Sequence, residues 1–243
     1  MTDSDINIYK AWDLNTRLFH WINFLCVFLL SILGLIMLNK GSIGISGREA
    51  GIGLKELHVV VGYVFATNLI IRIIWGFVSD RHSHWSTLIP GKNFRKELAS
   101  YKASLATDKP QTFIGHNPVG RLSVLLMMTL FVVLMTTGLI RAGTDIYYPP
   151  FGQYFAMKVA AEGVSPSEIL PYDKTNTDAE KLAELQDFKK PIGTIHIYTA
   201  YFLWLLIVIH LVAVIGADSK GQGTLISAMF TGKKHLPGKP EDL

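Results

Sequence analysis

Cysteine is almost absent from this chain, because Cys26 is the single one among 243 residues. One thiol cannot build a disulfide framework or a thiolate-bound metal site within one chain, so both kinds of site are excluded. The excess of basic residues is also small, with 23 Lys and Arg against 19 Asp and Glu. The sequence pI near 9.0 therefore needs no nucleic-acid partner to explain it.

Apolar residues are concentrated in four long runs, and the mean hydropathy is +0.31. The runs predict membrane-spanning helices of about 19 to 25 residues each, at about 18–38, 57–78, 122–140 and 192–216. The first run follows an acidic start and is too long and bulky for a cleavable signal sequence, so it should remain as a helix. We predict an all-α membrane protein: a four-transmembrane-helix bundle in a single domain over residues 1–243.

The distribution of basic residues predicts the orientation of these helices. With both termini in the cytoplasm, the cytoplasmic segments carry 14 Lys and Arg against 9 acidic residues, while the outer loops carry 9 against 10. The positive-inside rule therefore favours cytoplasmic termini. The long outer loop at 141–191 is expected to contain an aromatic interfacial helix and a polar surface helix, and to act as a docking surface or lid.

Two histidines interrupt the last apolar run. His196 and His210 are 14 positions apart, which returns nearly to the same helix face about 21 Å further along the axis. An ionisable side chain inside a membrane segment is costly and indicates a functional site. Two on one face indicate two stacked cofactors, and haem iron accepts neutral imidazoles from facing helices. Each histidine could instead hydrogen-bond a carbonyl of a neighbouring helix.

Matching depths in antiparallel helices assign a partner to each of these histidines. His20 lies near the start of helix one and His210 near the end of helix four, so both lie close to the cytoplasmic face. His58 and His196 both lie just inside the outer starts of their helices. Two bis-histidine pairs are therefore predicted, and such coordination suits electron transfer because it leaves no open axial position.

Four further residues accompany these histidines. Gly34 lies 14 positions after the histidine of helix one, where a glycine would let a flat ring approach the backbone, although ordinary helix packing is the alternative. Arg72 lies 14 positions after the histidine of helix two, and its guanidinium could bind a haem propionate or extend to the inner membrane interface. Arg17 precedes the first histidine by three residues, and Gly62 follows the second by one turn. No catalytic residue is assigned.

Several ordered motifs carry a family resemblance over nearly the full length of the chain. They are WDLNTRLFHW, LHVVVGY, RIIWGFVSDRHSHWSTLIPG, GHNPVGRLSVLL and SAMFTGKK, with the two histidines of helix four. The set resembles the family of prokaryotic cytochromes b561 and nickel-iron hydrogenase b-type cytochrome subunits. The resemblance implies two haem b groups, with His20 and His210 as ligands on the cytoplasmic side and His58 and His196 on the periplasmic side.

The resemblance also implies an electron-transfer subunit of a bacterial inner membrane, in a respiratory chain, rather than a stand-alone enzyme. Electrons would pass between the quinone pool and a periplasmic redox partner, either a multihaem cytochrome c or a hydrogenase- or reductase-type enzyme. The alternative is a self-contained oxidoreductase such as a superoxide:quinone oxidoreductase, with Lys55, Arg141, Lys158, Lys189 and Lys190 as candidates to attract the anion. A passive membrane anchor is a third hypothesis, in which the histidines only pack or sense pH.

Overall fold

A computed structural model describes residues 6–107 and 110–243. In chain order its elements are strand β1 (Ile6–Lys10), helices α1 (Leu14–Asn39), α2 (Arg48–Val78), α3 (Trp85–Leu88), α4 (Phe94–Ser104), α5 (Pro118–Ile146), α6 (Gly152–Val159), α7 (Ala179–Ser219) and α8 (Leu225–Thr231), and strand β2 (Lys233–Pro237). Short 3-10 helices lie at Arg81–Ser83 and Pro166–Glu168. Residues 1–5, with the acidic start of the sequence, lie outside the described residues.

Four of the described helices, α1, α2, α5 and α7, are long and apolar enough to cross a membrane. They have 26 to 41 residues, whereas about 20 residues of helix span the ~30 Å hydrocarbon core. Large apolar side chains lie on their outer faces, and Val208, Val212 and Ile215 of α7 are each more than half exposed. An apolar surface of this extent is suited to lipid. The chain is therefore a multi-pass membrane protein, as predicted.

Helix α7 is much longer than its predicted span. The prediction began the helix directly after Pro191, but α7 begins at Ala179 and contains that proline. A proline removes one backbone hydrogen bond, yet a helix supported on both sides can continue through it. The Asp178 carboxylate caps the actual start, accepting from the amides of Glu180 and Lys181 at 3.0 and 3.1 Å. The predicted polar surface helix is thus the first part of α7.

The segment between α5 and α7 covers residues 147–178, because the two helices take up both ends of the predicted 141–191 loop. Within it, α6 is the predicted aromatic interfacial helix. Its buried residues Phe155 and Val159 pack in one core cluster with Ile169 and with Leu185 of α7. The segment is therefore a folded structure on the start of α7.

A two-stranded sheet was not predicted. Strands β1 and β2 pair antiparallel, with Ile6 opposite Pro237 and Lys10 opposite Lys233. Leu236 of β2 is fully buried in a cluster that also contains Trp12. The C-terminal tail therefore contains an ordered strand. The membrane part remains all-α, and this sheet is added to it.

The described chain divides into two compact units, and each contains part of all four long helices. The first unit comprises the residues up to Ile22, Asn68–Thr129 and Leu203–Leu243, and the second comprises Asn23–Thr67 and Leu130–Phe202. The first unit contains His20 and His210, and the second contains His58 and His196. Each predicted histidine pair thus lies within one unit, while the single domain over 1–243 stays a prediction.

Candidate functional site

Two predicted ligands face each other in the second unit. The imidazole centroids of His58 and His196 are 6.4 Å apart, and the ring planes meet at 68°. Bonds of about 2 Å from one nitrogen of each ring to a shared metal ion are compatible with such a separation. Nδ1 of His58 is buried and has no hydrogen-bond partner among the described residues. The structure therefore brings together the pair that matched depths predicted.

A threonine determines which nitrogen of His196 is free. Oγ1 of Thr137 lies 2.8 Å from Nδ1 of His196 and 2.6 Å from the carbonyl oxygen of Val133. A carbonyl only accepts, so the single hydroxyl hydrogen points to Val133 and Oγ1 accepts from the Nδ1–H of His196. Nε2 of His196 then carries a lone pair and can bind a metal. Sequence analysis missed Thr137, because helix three contains no histidine within its apolar run.

Glycines leave space around these two rings. A Cβ added at Gly138 would lie 3.3 Å from Cε1 of His196, and one at Gly34 would lie 3.9 Å from Cε1 of His58. A Cβ added at Gly62 would have no described atom within 4 Å outside its own helix turn. Gly34 and Gly62 were predicted from their register, whereas Gly138 was missed. Gly138 thus lets the His196 ring itself lie close to the backbone of α5, whereas Gly34 and Gly62 allow another flat group to approach.

The other predicted pair lies in the first unit. Nδ1 of His20 is buried without a hydrogen-bond partner among the described residues, and its ring packs edge-on against Trp21 with centroids 5.4 Å apart. The indole Nε1 of Trp21 donates to the Met229 carbonyl at 3.0 Å, which fixes that ring. His20 and His210 both belong to this unit.

Two arginines accompany the first-unit pair. The Arg72 side chain is buried, its Nη2 donates to the Ser83 carbonyl at 3.1 Å, and its guanidinium lies over the Trp85 ring. Nη1 of Arg72 has no partner among the described residues. A buried cation with an unused donor is costly, which favours the predicted anion over a side chain extended to the interface. Arg17 donates to the Phe230 carbonyl and ties α1 to α8.

Comparison with known proteins gives the family of this chain. The family described as prokaryotic cytochrome b561 matches residues 11–232. The chain belongs to this family. Three relatives are each named a probable Ni/Fe-hydrogenase B-type cytochrome subunit. They come from Cupriavidus necator (24% identical over 229 residues, 91% of this chain and 85% of the relative), Rhodobacter capsulatus (24% over 241, 95% and 82%) and Rhizobium leguminosarum bv. viciae (24% over 248, 94% and 88%).

The residues of this b561-family cytochrome fit the haem b that the family implies. The second unit contains two facing imidazoles, one of them held with Nε2 free, beside glycines that leave space. The first unit contains buried polar atoms, Nδ1 of His20 and Nη1 of Arg72, that lack partners among the described residues. The protein is a membrane b-type cytochrome, and such proteins transfer electrons.

Three of the five basic residues considered in this cytochrome as anion attractors contact one buried carboxylate, that of Asp145. They are Lys55, Arg141 and Lys189. The other two have different partners. Lys190 pairs with Asp187 at 2.7 Å, and the Lys158 ammonium lies 5.5 Å from the centroid of the Tyr154 ring. Sequence analysis grouped the five by charge alone and could not separate the cluster from the isolated residues.

His116 of this cytochrome lies in the loop directly before α5. Its Nδ1 is buried without a partner among the described residues, and its ring centroid lies 4.7 Å from that of Trp12. Burial, and then the charges of Lys234 and Arg72, lower the pKa of His116 to about 3, so the ring is neutral at physiological pH. His116 belongs to the first unit, as do His20 and His210.

Proposed function

We propose that this protein is a dihaem b-type cytochrome that transfers electrons between the membrane quinone pool and a periplasmic redox partner. His58 and His196 hold one haem in the second unit, and His20 and His210 hold the other in the first unit. The observation that carries the proposal is the facing pair of imidazoles, 6.4 Å apart between helices that are apolar enough to span a membrane.

Bound haem would supply one-electron exchange at its iron, and with two imidazoles as its protein ligands no position would remain open to oxygen. The protein's own side chains would bind and orient the haem. Thr137 keeps Nε2 of His196 free, Gly138 lets the His196 ring lie against α5, and the glycines at 34 and 62 leave space beside the pair. Arg72 offers its unused Nη1 donor to a propionate of the first-unit haem.

The orientation follows from the charge distribution, with both termini in the cytoplasm of a bacterium and the second-unit haem toward the periplasm. The basic excess of 14 against 9 in the cytoplasmic segments supports this assignment. The segment 147–178 is then exposed to the periplasm and provides the docking surface. A hydrogenase-type enzyme is the partner that the names of the relatives favour, and a multihaem cytochrome c is the other candidate.

The proposal is tested by haem content and by reduction with a quinol. The purified full-length protein should contain two haem b per chain, measured from the pyridine haemochrome spectrum. Duroquinol added to proteoliposomes should reduce these haems, and an external cytochrome c should then reoxidise them. A preparation from haem-replete cells that contains no haem b would refute the proposal. Haems that dithionite reduces but quinol does not would show that quinone is not a redox partner of this protein.

The cations around Asp145 favour a second candidate, a self-contained superoxide:quinone oxidoreductase, because an excess of positive charge near the second-unit pair would attract an anion. A steady source of superoxide separates the two functions. For the electron carrier, superoxide decay in the presence of quinone stays at the rate of protein-free vesicles. A rate that rises in proportion to the protein would favour the oxidoreductase.

A further inference from the structure

Three cations share one buried carboxylate in the second unit. The Asp145 side chain is only 6% exposed, and its Oδ2 lies 2.6 Å from both Nζ of Lys55 and Nη2 of Arg141. Nζ of Lys189 lies 3.1 Å from Oδ1. The cations come from α2, α5 and α7, and the carboxylate holds them in one place. We call these four residues the Asp145 cluster.

The Asp145 cluster is not electrically balanced. Three positive charges face one negative charge, so two positive charges remain without a carboxylate in the cluster. The cations are mostly buried, with side-chain exposures of 27%, 31% and 14% for Lys55, Arg141 and Lys189. Partly buried charges of one sign repel each other and need counterions. Two further carboxylates would neutralise the cluster.

The Asp145 cluster lies on one side of the facing imidazoles. Lys55 is one helical turn before His58 in α2, and Lys189 is two turns before His196 in α7. Arg141 belongs to the turn of α5 that follows Gly138, the glycine against the His196 ring. The excess positive charge is thus adjacent to the predicted ligands.

A glycine lets Arg141 reach its position. A Cβ added at Gly193 would lie 2.6 Å from Nη1 of Arg141, so the guanidinium lies directly against the backbone of α7. Any larger residue there would displace the guanidinium. Arg141 is therefore held by Asp145 and by this glycine before any cofactor binds.

We propose that Lys55, Arg141 and Lys189 bind the two propionate carboxylates of the haem held between His58 and His196. The inference rests on the proposed function and names the anchoring groups of one of its two cofactors. A haem carries two carboxylates, which matches the two positive charges left over in the Asp145 cluster. Guanidinium and ammonium donors form strong charge-assisted hydrogen bonds to carboxylates.

The test uses Lys55→Gln and Arg141→Gln in the full-length protein, with Lys190→Gln as the matched control. Lys190 is on the same helix as Lys189 but forms an exposed pair with Asp187. Redox titration of the α band gives the potential of each haem, and resonance Raman spectroscopy gives the propionate-bending band. Loss of a cation destabilises the reduced haem, so we expect a tenfold shift toward the oxidised form, ~59 mV for one electron.

The expected result is a lower potential for one haem only, with a shifted propionate band, and no change in Lys190→Gln. Asp145→Asn should shift the potential of the same haem in the opposite direction. An unchanged propionate band in both cation variants would overturn the inference, even if the potential moved. If Lys55→Gln loses that haem, Lys55→Arg decides: retention of the haem supports the inference, and its loss from both variants overturns it. Wild-type protein without two haems would instead refute the proposed function.

Discussion

The two histidine pairs have different polar surroundings. In the second unit, Thr137 holds His196, and three cations are arranged around the Asp145 carboxylate beside the pair. In the first unit, Arg17 and Arg72 bind backbone carbonyls, and Nη1 of Arg72 has no partner among the described residues. The second site therefore holds its cations with a carboxylate of the protein, while the first holds a guanidinium with one donor unused.

This difference separates a site organised in advance from one that the cofactor completes. A carboxylate such as Asp145 fixes its cations whether or not a haem is bound, because the ion pairs are already formed. The unused donor of Arg72 gains its partner only on binding, so binding should stabilise the surroundings of the first site more strongly. Four predictions test this comparison, from the largest expected effect to the smallest.

Removing one histidine from each pair should remove a different haem. His196→Ala and His210→Ala should each lower the haem content from two to one per chain, because the iron loses an axial ligand. The remaining haem should have a different potential in the two variants, as measured by redox titration. His235→Ala is the control, since His235 is exposed in β2. Loss of the same haem in both variants would contradict the pairing.

Thr137→Val should weaken haem binding in the second unit only. The substitution keeps the shape of the side chain but removes the acceptor that holds Nδ1–H of His196. Loss of such a supporting hydrogen bond typically costs 10–100-fold in affinity. Transfer of haem to an excess of a haem-scavenging globin measures the loss. Thr136→Val, at the exposed neighbouring position, should transfer haem at the wild-type rate. Equal rates of haem transfer for the two variants would show that Thr137 does not support haem binding at this site.

Arg72→Gln should lower the potential of the first-unit haem alone. The variant removes a buried positive charge, and the oxidised form should gain about tenfold, or ~59 mV, in a redox titration. Arg95→Gln, on the exposed face of α4, removes the same charge away from the buried residues and should leave both potentials unchanged. A shift of both haems in Arg72→Gln would show that Arg72 does not distinguish the sites.

Lys234→Met should remove a pH-dependent part of the stability of the first unit. Nζ of Lys234 donates to the carbonyls of Phe113 and Gly115, and burial lowers the pKa of Lys234 to about 8. Between that pH and the ordinary lysine pKa of about 10.4, the unfolded chain binds the proton and the folded chain does not. The free energy of unfolding therefore rises with pH in this window, and below it the buried charge destabilises the fold.

The measurement compares thermal unfolding midpoints at pH 8 and pH 10. Between pH 8 and pH 10, deprotonation of this lysine should raise the unfolding midpoint of the wild-type protein. The midpoint of Lys234→Met should not show that rise. Lys233→Met is the matched control, because Lys233 is the exposed neighbour of Lys234 on the same strand. The same pH dependence in all three proteins would show that the Lys234 ammonium is not buried in solution.

The sequence predicted the parts of the structure that repeat along one helix. The four apolar runs predicted the spanning helices, and the 14-residue interval in α7 predicted two ligand depths. The start of α5 is also local in character, because Pro118 is its first residue and Oδ1 of Asn117 accepts from the Gly120 amide at 2.7 Å. These features depend on local geometry, and local geometry can be read from residue spacing.

The features that sequence analysis missed depend on contacts between distant residues. Thr137 is an ordinary threonine in an apolar helix until the His196 ring lies 2.8 Å away. Asp145 belongs to none of the sequence motifs, and the three basic residues that pair with it come from three helices. Pro191 was interpreted as a boundary, although α7 continues through it. Such features need the packed structure, because residue spacing does not determine which side chains meet between helices.

The pairing of β1 with β2 has a consequence for the biogenesis of the protein. Strand β1 precedes the first spanning helix, whereas β2 follows the last one, so translation produces the two strands at opposite ends of the process. Their hydrogen bonds can form only after α7 has left the ribosome. Closure of this ribbon therefore marks a chain in which all four of these spanning helices have been synthesised. With cysteines at the facing positions Ile8 and His235, a thiol oxidant added at timed intervals would trap that state as a disulfide, which a non-reducing gel would detect.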